Sequence, residues 1–222
     1  MAGVIREPRG GRALHQADTN VKRSVGIVLF PGVGELAFVG PWHVFATLRR
    51  LDPETCRLFT VSETGGEVRC AGSLRVRADH AFGTAPRMDV LVVPGATGSG
   101  DELDDSSLIA YIRQAGAQAD LVVSVCGGAL LLDRAGFLAG KRSTTDRASL
   151  DRLRAPGTAE VVAGARWVDA GAVITASGGT AGIEVALYLV RRLWGEHIAH
   201  HVEQDLEYCA QFRGAAPGGG TV

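Results

Sequence analysis

Between Asp120 and Leu132 the chain reads DLVVSVCGGALLL. A nearly unbroken apolar, β-branched run stops at Cys126. Two glycines and an alanine follow, and then apolar residues at helical spacing. A strand apolar at successive positions is covered on both faces, as strands of parallel sheets are. The pattern therefore predicts a buried strand, a sharp elbow and a helix, with a thiol at the turn. Small residues after the cysteine permit the turn and leave space above the sulfur. The amide end of the following helix favours a thiolate there. Cys126 is thus the candidate nucleophile.

The rest of the chain repeats the alternation. Strands are expected at Ser24–Phe30, Cys56–Ser62 and Met88–Val93, with a small hairpin over Glu67–Cys70 and Leu74–Arg77. Shorter strands are expected at Glu160–Val162, Arg166–Asp169 and Ala172–Thr175. Leu36–Leu51 has helical character, interrupted or kinked at Gly40-Pro41. Asp105 or Ser106 caps a helix carrying Leu108, Ile112 and Ala115 on one face. Gly178-Gly179-Thr180 opens a strong helix that Gly195 ends, and a last helix runs over Glu196–Tyr208. This is an α/β chain, a doubly wound sandwich around a mostly parallel sheet. In such sheets ligands bind beyond the carboxyl ends of the strands, so Glu35, Gly95, Cys126 and Gly178 are expected to share one crevice.

A length of 222 residues suits one α/β domain, expected over 23–211, with tails at 1–22 and 212–222 rich in Gly, Pro or Arg. The first tail lacks the apolar segment of a secretory signal. A net charge of −1 gives no drive toward nucleic acid or an anionic membrane, and no apolar run is long enough for a span. Cys56, Cys70, Cys126 and Cys209 form no CxxC pair, which argues against a zinc ribbon or a disulfide framework. A reducing cytoplasm is the default. Cys56 and Cys70 read as small core residues.

Pro94-Gly95-Ala96-Thr97-Gly98 follows a core strand, and amides in such a loop can hold a developing oxyanion. The alternative is a plain turn. The glycines do not match a dinucleotide fingerprint or a P-loop. His197, His201 and Asp205 fall at i, i+4 and i+8 on the last helix, beside His200. That face reads as a solvent- or subunit-facing side rather than a metal site. His43 reads either as a dimer contact or as a crevice residue.

Four pieces, FPGVGELAFVGPWHVFA (30–46), VLVVPGATGSG (90–100), VVSVCGGALLLDRAGFLAGKRSTTD (122–146) and ITASGGTAGIEVALYLVRRLWG (174–195), occur in an order and spacing that resemble the ThiJ/PfpI superfamily. The Val-Gly-Pro helix start and DLEY (205–208) are similar to its isonitrile hydratase-like branch. The sensor domain of some AraC-type regulators is also similar, although the residues after 208 leave no room for a helix-turn-helix module. The resemblance implies a flavodoxin-like fold, a homodimer, no cofactor, a small-molecule substrate and Cys126 as nucleophile. Amides of Gly95, Ala96 and Gly127 would form its oxyanion site. Thr145, Gly178 and Gly179 would line the substrate crevice.

Two departures matter. The acid that the resemblance implies four residues before Pro41 is Ala37, and the histidine after the Thr-Thr pair is Asp146. The residue after the cysteine is Gly127, which with Ala37 enlarges the crevice. The expectation is a site remodelled for a bulkier substrate, such as a natural-product intermediate, with Glu35 or Asp146 supplying acid–base chemistry. The function expected is that of a cysteine-dependent hydratase or lyase acting on a small electrophile. The alternatives are a redox-sensing or ligand-binding module without catalysis, or an inactive variant marked by Ala37.

Overall fold

The computed structural model describes residues 21–96 and 101–208. Apart from Val21 and Lys22, the expected tails lie outside the described residues, as do Thr97, Gly98 and Cys209. The elements run β1 (Arg23–Val28), α1 (Glu35–Leu51), β2 (Cys56–Ser62), β3 (Glu67–Arg69), β4 (Arg75–Arg77), β5 (His80–Ala81) and β6 (Val90–Pro94). Next come α2 (Ser106–Gly116), β7 (Leu121–Val125), α3 (Gly128–Arg134), β8 (Arg142–Ser143) and α4 (Leu150–Arg154). The chain continues through β9 (Glu160–Val161), β10 (Trp167–Asp169), β11 (Val173–Ala176), α5 (Ala181–Trp194) and α6 (Glu196–Asp205). Short 3-10 turns precede α2 and α4.

Seven strands form one sheet in the order β10-β11-β7-β6-β1-β2-β5, parallel except where β10 pairs antiparallel with β11. This is the mostly parallel sandwich that the apolar runs imply, and the flavodoxin-like form that the resemblance implies. β6, β7 and β11 are buried at every position, because helices cover both faces. α1, α5 and α6 pack together on one face, and α2 and α3 on the other. Ile27, Leu91, Leu121, Leu131 and Trp194 are fully buried between these layers.

The sequence suggests a break in α1 at Gly40-Pro41, but the helix is continuous from Glu35 to Leu51. Proline removes one helical hydrogen bond and crowds the preceding turn. Here its ring packs against α5 at Gly182, where a Cβ would lie 3.1 Å from the Pro41 Cδ. Tertiary packing holds the helix together. The expected cap of α2 is present: Asp105 accepts from the amides of Ser107 and Leu108.

Candidate active site

Cys126 lies one residue beyond β7, between the carboxyl ends of β6 and β11, whose Pro94 and Ala176 both pair with Val125. Its φ is +59°, a left-handed conformation that costs a non-glycine residue about 1–2 kcal/mol. Neighbouring contacts hold it there. The Cys126 N–H donates to Ser177 O at 2.8 Å and to Ala176 O at 3.2 Å. The Thr145 hydroxyl donates to Cys126 O at 2.8 Å. The elbow is thus fixed at both its amide and its carbonyl.

The same segment carries the acid. Asp146 caps the 3-10 turn before α4, its Oδ1 accepting from Ala148 N at 3.0 Å and Ser149 N at 3.1 Å. Its Oδ2 accepts from the Thr145 hydroxyl at 3.3 Å. Thr144 N donates to Thr175 Oγ1 at 2.8 Å, which ties this strap to β11. The carboxylate therefore stands on a constrained piece of chain beside the elbow.

Burial raises the Cys126 thiol above its ordinary pKa, and the Asp146 carboxylate pushes the same way. Backbone hydrogen bonds from Gly127 and Gly179 oppose both. The sequence leads one to expect a thiolate favoured by helix amides. The amides are there, but desolvation and a like charge outweigh them, so the resting sulfur is a thiol.

Of the two carboxylates singled out in the sequence, the charge that acts on Cys126 is that of Asp146. Glu35 is turned to the β3–β4 turn, where its Oε1 accepts from Gly72 N at 2.6 Å and its charge acts on Cys70. The reason is local: Val33 O accepts from Ala71 N at 3.0 Å, which docks that turn against the start of α1 and presents the Gly72 amide to Glu35. Ala37 is buried.

Gly95 lies directly against the elbow. A Cβ there would fall 2.4 Å from Gly127 N, and one on Gly128 would fall 2.1 Å from Val93 O. Ala96 O lies near Gly127. Gly178 faces open space, while Gly179 is in contact with Leu36. Leu36 itself is 46% exposed. Neither Leu36 nor Ser149, whose hydroxyl also approaches Gly127, stands out in the sequence, because each is an ordinary residue placed by tertiary packing.

Cys56 and Cys70 are buried free thiols, and His43 is exposed. On α6 the rings of His197 and His201 are 4.3 Å apart, while Asp205 pairs with Arg50. Among the described residues no three His, Cys, Asp or Glu side chains group to hold a metal.

Residues 23–192 match the DJ-1/PfpI family. The chain is 38% identical over 184 residues to the isonitrile hydratase of Pseudomonas putida, covering 83% of this chain and 78% of that protein. The crystal structure of a ThiJ/PfpI family protein from Pseudomonas syringae matches with a TM-score of 0.78 at 27% identity, over 93% of this chain and 84% of that one. An AraC family transcriptional regulator from Pseudomonas putida, 23% identical, shares the fold with a TM-score of 0.70 over 83% of this chain and 99% of that one.

Proposed function

Since the chain belongs to the DJ-1/PfpI family, we propose that it is a cysteine-dependent hydratase that converts a small isonitrile to the corresponding N-substituted formamide. The observation that carries this reading is Cys126 on a strained elbow with two amides at its sulfur and the Asp146 carboxylate beside it. The likeness to isonitrile hydratase supplies the substrate class.

The thiol is protonated at rest, so attack needs a base, and Asp146 is that base. The sulfur adds to the terminal isonitrile carbon as Asp146 takes the thiol proton and delivers it to that carbon. A thioimidate on Cys126 results. Water then adds to the same carbon, the nitrogen gains a proton, and the carbon–sulfur bond breaks to regenerate the thiol. The amides of Gly127 and Gly179 stabilise the anionic sulfur on attack and on departure. The scheme uses only this chain and water. Leu36 provides an apolar wall for the substrate's carbon substituent, and the small Ala37 suits a bulky one, such as a natural-product intermediate.

The reading includes a homodimer in the cytoplasm. Exposed Val39 on α1 and Leu74 beside β4 support an apolar contact between copies, and the buried free thiols fit a reducing compartment. Redox sensing is less well supported, since oxidation proceeds through the thiolate that Asp146 and burial disfavour.

The test follows formamide formation by mass spectrometry. Cys126→Ala should abolish it. Asp146→Asn should lower turnover by about 10²-fold or more, yet shift alkylation of Cys126 to lower pH, because the like charge is gone. Turnover by Cys126→Ala at the wild-type rate would refute the reading.

A further inference from the structure

Gly127 follows the nucleophile, yet neither its backbone nor its packing demands glycine. Its φ of −61° and ψ of −5° are open to any residue. A Cβ there would lie 3.6 Å from Ser149 Oγ, 3.8 Å from Ala96 O and 3.8 Å from Asp146 Oδ2, all ordinary contacts. Gly95 and Gly128 are different, since a Cβ on either would collide with backbone. The three atoms nearest the missing methyl are all oxygens: a hydroxyl, a carbonyl and a carboxylate.

We infer that this notch holds the water that attacks the thioimidate, with Asp146 Oδ2 as its base and Ser149 Oγ and the Ala96 carbonyl as its positioning groups. The inference rests on the hydratase reading above. An apolar substituent gains little against three oxygens, whereas a buried water takes two to four polar partners. It would donate to Asp146 Oδ2 and Ala96 O and accept from the Ser149 hydroxyl. A lone pair then remains for the carbon on the neighbouring Cys126 sulfur.

Each partner is held in place. Asp146 Oδ1 is occupied by two amides, and Oδ2, which also accepts from the Thr145 hydroxyl, faces the notch. Ser149 contributes its N–H to that cap, is only 9% exposed, and places its Oγ on the Gly127 side. Gly95 O accepts from Gly34 N at 2.9 Å, which steadies the segment carrying Ala96.

The step balances. The water oxygen bonds to the thioimidate carbon and one water proton passes to Asp146. The C=N π pair moves to nitrogen, which takes that proton. Loss of the remaining hydroxyl proton forms the C=O bond, and sulfur departs with its bonding pair and that proton. Isonitrile and water go in, formamide comes out, and nothing is oxidised or reduced.

The experiment compares wild type, Gly127→Ala and Ser149→Ala with a small alkyl isonitrile, using intact-protein mass spectrometry and formamide release. Gly127→Ala fills the notch without collision. It should keep the wild-type melting temperature and iodoacetamide reactivity, accumulate the thioimidate on Cys126 and lose about 10²-fold or more in kcat. Ser149→Ala should accumulate the same adduct with KM little changed, and Ser149→Thr should restore turnover. Wild-type kcat with no adduct in both Gly127→Ala and Ser149→Ala would overturn the water site and leave the hydratase intact. Wild-type protein that forms neither adduct nor formamide would overturn both.

Discussion

Replacing Gly95 by alanine tests how tightly the site is assembled. Gly95 does not have a left-handed φ, so the substitution brings no conformational penalty. The penalty is contact. The methyl would lie 2.4 Å from Gly127 N and 2.7 Å from both Gly127 Cα and Gly128 N. Such atoms need about 3.5 Å, so roughly 1 Å of separation is missing. Neither side yields easily. Gly95 O is bonded to Gly34 N and Pro94 pairs with Val125, while Cys126 is fixed by Ser177 O and the Thr145 hydroxyl. Overpacking of this kind costs about 1–3 kcal/mol. At about 2–4 °C per kcal/mol for a chain of this size, the melting temperature should fall by about 2–12 °C. A displacement of about 1 Å at the reacting atom should slow turnover by about 10²-fold. Thermal unfolding by circular dichroism and the rate of Cys126 alkylation read the two effects. An unchanged midpoint together with an unchanged alkylation rate would refute the reasoning.

Two further expectations concern the frame around the site. Burial pushes Cys56 up from an ordinary 9.0 to about 12, so the folded state disfavours its thiolate. Its contribution is whole below pH 9 and is lost as pH climbs toward 12, a span worth about 4 kcal/mol; Cys56→Ala should flatten the alkaline loss of stability, and an identical slope would count against this. On the other side of the elbow, Arg166 holds Glu184 through bonds of 2.8 and 2.5 Å and Thr180 through one of 2.9 Å, fixing the loop that carries Gly179. Arg166→Met leaves a carboxylate that is only 7% exposed with the Tyr208 hydroxyl at 3.4 Å but no cation, costing about 3 kcal/mol and about 6–12 °C in melting temperature; a midpoint matching wild type would show that the clamp is unimportant.

Much of this architecture was legible in the chain itself. The β7–elbow–α3 run carries its own punctuation, with an apolar stretch, then a cysteine and glycines, then helical spacing. The Asp105 cap and the β3–β4 hairpin are equally local. What could not be read depends on distant partners. β5 is two residues long, and beside it Asp79 receives both the amide and the hydroxyl of Thr60. α1 survives Pro41 because α5 offers Gly182. The direction of Glu35 depends on a turn nearly forty residues away. The protonated state of Cys126 follows from how deeply the fold buries it, which the motif does not encode. Ser149 joins the site only because Asp146 starts a 3-10 turn that carries it back toward Gly127.

The sheet ends in short strands, β5 with two residues and β10 with three. β10 runs against its neighbour, lies beside β8 and directs the Asp169 carboxylate inward to Arg192 and Tyr188. β5 covers only Val61 and Ser62 of β2, and beyond it Asp79 accepts from the Thr60 amide and Arg49 donates to Leu58 O, so side chains blunt this margin. Two copies of this protein therefore have little to gain by joining their sheets, so the homodimer proposed above would rest on side chains of the helical layers. In that proposed dimer, a substitution on α1 would alter assembly without touching the strands that set the elbow.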